Sequence, residues 1–442
     1  MNTISPLLHQ AFQLRKDKKT DEALTIYESL WQQHPAEFGE WDGWSYGQCL
    51  QEKRRYPDTL ELCRQMYLRF KTSDKIGQLY AWSIYYTQLA GDKLPENKNS
   101  FIKAITAIVQ LSPPGKPFSP AVKSIFKLVK FLGEGNQNNW NEIGDWLLKL
   151  DKVTLSRETY TIDIPGRRRM ELASELEEWF SWQSKWLLQT KQWQRCSDLC
   201  SEALKELYKW HYSNDIWFAR RNAAALAQLG HKAQAREILQ SLIKRKPEWF
   251  IMSDLAELTE DSNEALKLYA KAALAFGDVD KKIRVFFKMA QLFVSNGDRE
   301  LAYNHALLVM TLRVENKWPV SPEVEQLMKE LNEVPVNLPS SAWIVNNLKP
   351  HWERLAFGND INSEEKQLER VDGKIDHFIK TGEAGFIKTD IRVNKIYFLF
   401  KNYQGNKADL KPGLSVTFII NKSFDKKKNR ESEIAVRIKK KY

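Results

Sequence analysis

The sequence predicts a mainly α chain, an α-solenoid of stacked helix pairs followed by a small five-stranded closed β-barrel, on three observations. Through residues 1 to 335, apolar side chains recur at every third and fourth position, the period of a helix with one buried face. Within that stretch a helix-turn-helix pattern returns at a spacing of roughly 34 residues. From Gly373 onward the apolar residues alternate by twos, the period of strands. At 442 residues the chain also exceeds what one hydrophobic core supports, in keeping with a repeat array joined to a separate module.

The helical copies come first. One sets Ala11 against Ala23, Tyr27, Leu30 and Pro35. Another reads Ala223, Leu226, Gly230, Ala235, Leu239, Leu242 and Pro247, and a third Ala290, Phe293, Gly297, Ala302, Ala306 and Val309. Weaker copies centre on Gly47, Leu50, Thr59 and Cys63, on Ser184, Leu187, Cys196 and Cys200, and on Ala265, Tyr269 and Ala272. A small residue midway along each helix lets the pair cross closely, and the glycine makes the turn. These offsets resemble tetratricopeptide repeats. The resemblance implies a superhelix whose concave face holds a protein partner, here unidentified. Trp31, Trp44, Trp82, Trp182, Trp186, Trp193 and Trp217 lie within the helical pattern and are expected to pack.

Residues 72–180 keep helical composition but lose the spacing: Pro113, Pro114, Pro117 and Pro120 surround Gly115, and a turn cluster runs from Gly133 to Asn139. Near the end of this stretch Pro165 and Gly166 precede Arg167, Arg168 and Arg169, ahead of a helix expected to start near Met170. The three arginines are a candidate phosphate contact, against the alternative of a solvated flank. After Val334 the period fails at Pro335, Pro339 and Pro350, although Trp343, Ile344, Leu348 and Trp352 keep helical spacing. The array is therefore assigned to residues 1–353, a polar linker to 354–370 and the barrel to 371–442.

Charge marks the last of these. The chain carries a net +11, yet residues 371–442 hold 17 Lys and Arg against 8 Asp and Glu, while the first 370 hold 50 against 48. A local excess of this kind is the footprint of a polyanion partner, because cations that neutralise phosphates release condensed counterions. The five expected strands are separated by turn-rich stretches at Thr381-Gly382, Asp390 to Lys395, Asn402 to Gly413 and Asp425 to Arg430.

The residues of this module resemble a cold-shock domain, a small barrel of the oligonucleotide-binding (OB) type. Gly373-Lys374-Ile375-Asp376-His377-Phe378 is similar to that family's opening Gly-x-Val-Lys-Trp-Phe, and Gly385-Phe386-Ile387 to the end of its first ribonucleoprotein motif. Ile396-Tyr397-Phe398-Leu399-Phe400 is similar to the second motif, and Leu410 to Phe418 to the fourth strand. The resemblance implies that single-stranded RNA or DNA stacks on outward aromatic rings while lysines follow the backbone. It assigns stacking to Phe386, Tyr397, Phe400, His377 and Phe378, and backbone contacts to Lys374, Lys388, Lys395, Lys426 and Lys428. Ala384 and Leu399 depart from the pattern, removing two platforms. At about 1 to 3 kcal/mol per stack the loss weakens binding by a few kcal/mol. Parity supports the outward reading for two of the rings: Phe386 and Tyr397 alternate with Ile387 and Ile396, whereas Phe400 fits core and surface equally.

Catalytic patterns are not found. There is no GxxxxGK[ST] loop, HExxH, GxSxG or GxGxxG after a strand, and His9, His34, His211, His231 and His305 stand apart from any nucleophile, so packed or surface histidines are expected. Cys196 and Cys200 are one helical turn apart without matching ligands, so helix core is expected and neither metal nor cofactor. With no long apolar run and no secretory leader pattern, a cytoplasmic protein without a membrane span is expected. The functional expectation is a non-catalytic, bacterial nucleic-acid-binding adaptor, an accessory of a defence or RNA-processing system. The alternative is a pure protein-interaction scaffold whose barrel has lost nucleic acid.

Overall fold

The computed structural model describes residues 4–91, 97–134, 139–163, 169–331, 337–358, 370–379, 383–392, 395–403, 405, 409–425 and 430–441. The chain divides into two compact units, Met1–Pro247 and Glu248–Tyr442. It is mostly helical, with eighteen α-helices among the described residues in a tetratricopeptide-like array and one closed five-stranded barrel.

The first unit contains α1 (Ser5–Lys16), α2 (Thr20–Gln33), α3 (Glu40–Glu52), α4 (Tyr56–Arg69), α5 (Asp74–Ile84), α6 (Lys98–Leu111), α7 (Pro120–Gly133), α8 (Trp140–Leu147), α9 (Glu175–Gln189), α10 (Trp193–Glu206), α11 (Asn214–Gln228) and α12 (Lys232–Arg245). Each packs on the next in sequence. The small positions are where the helices approach: Ala11 and Ala23 are fully buried, and a Cβ on Gly47 would lie 2.3 Å from Leu79 Cδ2. Gly230 turns the chain between α11 and α12 with φ +88°, a backbone that costs glycine nothing.

The irregular stretch belongs to the stack as well. Ile105, Ile108, Ile125, Val129, Ile143 and Leu147 share one core with Leu176, Phe180 and Phe218. The helix expected near Met170 starts instead at Glu175. Ser174 Oγ accepts the Glu177 N–H at 3.1 Å, so the capping signal lies there, and Met170–Leu172 (β2) pairs antiparallel with Tyr160–Ile162 (β1). Of the seven tryptophans named above, Trp186 is buried and the others are half-buried.

The second unit contains α13 (Trp249–Glu257), α14 (Ser262–Leu274), α15 (Ile283–Ser295), α16 (Arg299–Glu315), α17 (Pro322–Glu330) and α18 (Ser341–Phe357). Helix α18, which packs on α14 and α16, buries Ile344, Leu348 and Trp352. Its Trp352 stacks on Phe286 at 5.3 Å and donates from Nε1 to Nε2 of the fully buried His305 at 2.8 Å.

The barrel follows: β3 (Val371–Phe378), β4 (Ala384–Lys388), β5 (Ile396–Leu399), β6 (Ser415–Asp425) and β7 (Arg430–Lys440). Strand order is β3-β4-β5-β7-β6, closed by β6 returning to β3, and antiparallel except where β5 meets β7. Ile375, Ile387, Ile396, Phe398, Val416, Phe418, Ala435 and Ile438 fill the interior. Two strands are longer than expected, because pairing of β6 with β7 continues out to Asp425 and Arg430. Gly373 and Gly385 make the closure tight: a Cβ would stand 2.6 Å from the Lys388 carbonyl oxygen on the first and 2.7 Å from that of His377 on the second.

Candidate nucleic-acid interface

One irregularity builds the outer face of β3, β4 and β5. Ile375 pairs with Ile387, but His377 pairs with Phe386, so Asp376 is the extra residue of a β-bulge. At the period of two, His377 would follow Ile375 into the barrel. The extra residue turns His377 outward and sends Phe378 inward opposite Gly385.

Three rings then stand in register across three strands, His377 opposite Phe386 and Phe386 opposite Tyr397. The His377 and Phe386 rings stack at 5.2 Å and 28°, and Phe386 meets Tyr397 edge-on at 5.8 Å and 67°. His377 is exposed and the other two are half-buried, while their strand neighbours Ile387, Ile396 and Phe398 are buried. Beside the rings run cations. Lys374 is paired opposite Lys388, Lys388 lies two residues beyond Phe386, and Lys395 lies two residues before Tyr397; all three are exposed.

Electrostatics divide those lysines. Asp376 Oδ2 accepts a hydrogen bond from Lys395 Nζ at 2.7 Å and contacts His377 Nδ1, and these partners, Lys395 first, hold the Asp376 carboxyl below its usual range. Lys374 and Lys388 form no ion pair among the described residues. The face therefore presents two unneutralised cations and a third whose charge an aspartate offsets.

The remaining candidates lie elsewhere. Phe378 and Phe400 pack against the barrel core, edge-to-face with each other at 4.8 Å, with Phe400 also stacked on Phe398 at 5.7 Å, so they sit behind the row. Lys426, Lys428, Arg167 and Arg168 lie outside the described residues. Arg169 is exposed, with Nε 2.6 Å from Asp163 Oδ1. Asp376 was missed as a site residue, although the spacing of three between the inward Ile375 and Phe378 signals the bulge.

No grouping that would hold a metal occurs among the described residues, and no helix there is long and apolar enough to cross a membrane. All four cysteines are buried. His211 is buried with Nδ1 2.7 Å from Glu177 Oε2.

Comparison with known proteins bears on the helices. A tetratricopeptide repeat model matches residues 7–36, which cover most of α1 and all of α2, and a model described as a domain of unknown function (DUF7017) matches residues 216–337. No curated protein matches the chain. Among solved structures, pilF of Pseudomonas aeruginosa is 13% identical, covering 53% of this chain and 91% of its own, with a TM-score of 0.34. Human IFIT1 in its dimer with PPP-AAAA is 12% identical, covering 81% and 80%, with a TM-score of 0.36. A tetratricopeptide repeat protein from Parabacteroides merdae is 9% identical, covering 75% and 100%, with a TM-score of 0.29.

Proposed function

We propose that the chain is a non-catalytic adaptor that holds single-stranded RNA or DNA on its barrel and a protein partner on its helical array. One observation carries the first half: His377, Phe386 and Tyr397 form a continuous row of rings beside Lys374, Lys388 and Lys395. Bases stack on such rings whatever their sequence, and phosphates pair with such cations. The rings, Lys374 and Lys388 lie on the first three strands of a five-stranded barrel, with Lys395 just before the third, and Phe386 and Tyr397 occupy the second and third, the strands that carry oligonucleotides in OB-folds. The stacked helix pairs support the second half, since a repeat array exposes an extended surface built for a partner. A place among the accessories of a bacterial defence or RNA-processing system, in the cytoplasm, is consistent with this division of labour.

Retention of the full chain on poly-U or single-stranded DNA resin at rising salt tests the reading. The wild type is expected to elute late and with a steep salt dependence, and the Phe386→Ala, Tyr397→Ala double variant early. Equal elution of the two would favour a second reading, a barrel docked on protein. The buried Ala384 and the aliphatic Leu399 at two expected platforms point that way.

A further inference from the structure

On the outer face of the barrel a cation and a ring stand at neighbouring outward positions of each strand. They are Lys374 and His377 on β3, Lys388 and Phe386 on β4, and Lys395, just before β5, with Tyr397. Such positions are about 7 Å apart along a strand. On β4 and β5 the residue between them, Ile387 and Ile396, belongs to the barrel core. On β3 Ile375 takes that inward place and the bulge adds Asp376, so a carboxylate stands between the lysines and the rings. It touches both rows through one atom: Oδ2 accepts from Lys395 Nζ at 2.7 Å and contacts His377 Nδ1. Oδ1 has no hydrogen bond among the described residues, and the side chain is 25% exposed. Glu433 shows the contrast, since both of its oxygens accept from Arg392.

A carboxylate among phosphate-binding lysines repels a strand and holds one of those lysines back, so it lowers affinity unless the ligand brings it a donor. In a nucleotide the sugar lies between base and phosphate. With the base on a ring and the phosphate on a lysine, the part that meets Asp376 is the sugar, and the base edges that carry sequence point away from it. Ribose offers a donor there in its 2′-hydroxyl, and deoxyribose offers none. An O–H bonded to a carboxylate is charge-assisted and short. We propose that Asp376 distinguishes RNA from DNA on this face, its Oδ1 accepting a ribose 2′-hydroxyl, and that the strand the barrel holds is RNA. This rests on the reading of the face as a single-strand site and adds the sugar to it.

The test measures binding of the full chain to three strands of equal length by fluorescence anisotropy: oligouridine, oligodeoxyuridine, and 2′-fluoro oligouridine, which keeps the sugar shape of RNA without the donor. Oligouridine is expected to bind about tenfold more tightly than the other two, one hydrogen bond to a charged group. Asp376→Ala should raise affinity for oligodeoxyuridine severalfold by releasing Lys395, raise that for oligouridine far less, and bring the ratio near one. Phe386→Ala with Tyr397→Ala should weaken all three strands together. The comparison of strands on the wild-type chain stands even where a variant fails to fold. Equal binding of the three strands overturns the assignment of Asp376 and leaves the single-strand reading intact, whereas no binding of any strand overturns both. A 2′-fluoro strand that binds as tightly as oligouridine also overturns it, because sugar shape and not the donor is then what is read, and so does a preference for ribose that survives Asp376→Ala.

Discussion

Cations meet opposite surroundings in the barrel and in the helical array. On β3 to β5, Lys374, Lys388 and Lys395 stand in water, where screening makes their mutual repulsion cheap and Asp376 already offsets one of them. Between α9 and α11, Arg221 is buried and Lys185 half-buried, and among the described residues no carboxylate is bonded to either. The contrast separates two uses of charge. An exposed cation adds to affinity and its salt dependence at little cost to the empty fold, whereas burying one costs stability. Histidine repeats the contrast, with His377 exposed on the barrel and His305 fully buried against Trp352.

The widest separation is expected from the rings. Phe386→Ala with Tyr397→Ala should weaken binding of a single-stranded oligonucleotide about a hundredfold, at ~1 to 3 kcal/mol per stack. Fluorescence anisotropy checks this, and an unchanged melting of the helices shows that the loss belongs to the barrel.

Acid should act on the array. Burial pushes the His305 imidazole down to about 4, so between its ordinary value and that figure the unfolded chain takes up a proton that the folded chain refuses. Stability is therefore full above pH ~6.5 and falls as pH drops toward 4, by about 3 kcal/mol from this residue. Urea unfolding of the helices across that range measures it, and His305→Gln should flatten the slope.

Close packing supplies a smaller test of the same division. Gly385→Ala in the barrel pushes against a backbone oxygen, whereas Gly47→Ala in the array pushes against the movable end of Leu79. The first should cost about 2 kcal/mol and the second less, read from thermal unfolding. Smallest is Asp376→Asn, which releases Lys395. Affinity for single-stranded DNA should rise severalfold and the salt slope should steepen by about one, as one more cation becomes available to phosphate.

Much of this was legible beforehand where the signal is local. Ala11, Ala23, Ala223, Ala235, Ala290 and Ala302 announce helix crossings because a close approach admits only a small side chain, and all six are fully buried. Phe386 and Tyr397 were readable as outward because their neighbours Ile387 and Ile396 alternate with them and are buried. The β1–β2 pair was not anticipated, because three-residue strands leave almost no period to detect. Nor was the partnership of His305 with Trp352, which joins residues 47 apart in sequence.

Taken alone, the sequence determined the helical repeats, the change to strands after Gly373 and the basic excess of the last segment, since periodicity and composition are properties of neighbours along the chain. Tertiary structure decided which ring faces which way and which charge is dry. A single bulged residue at Asp376 exchanges the inward and outward sides of β3, because strand side chains alternate by two. Arg221 is a buried cation because α9 and α10 pack on α11, and dehydration depends on what lies around a residue in space.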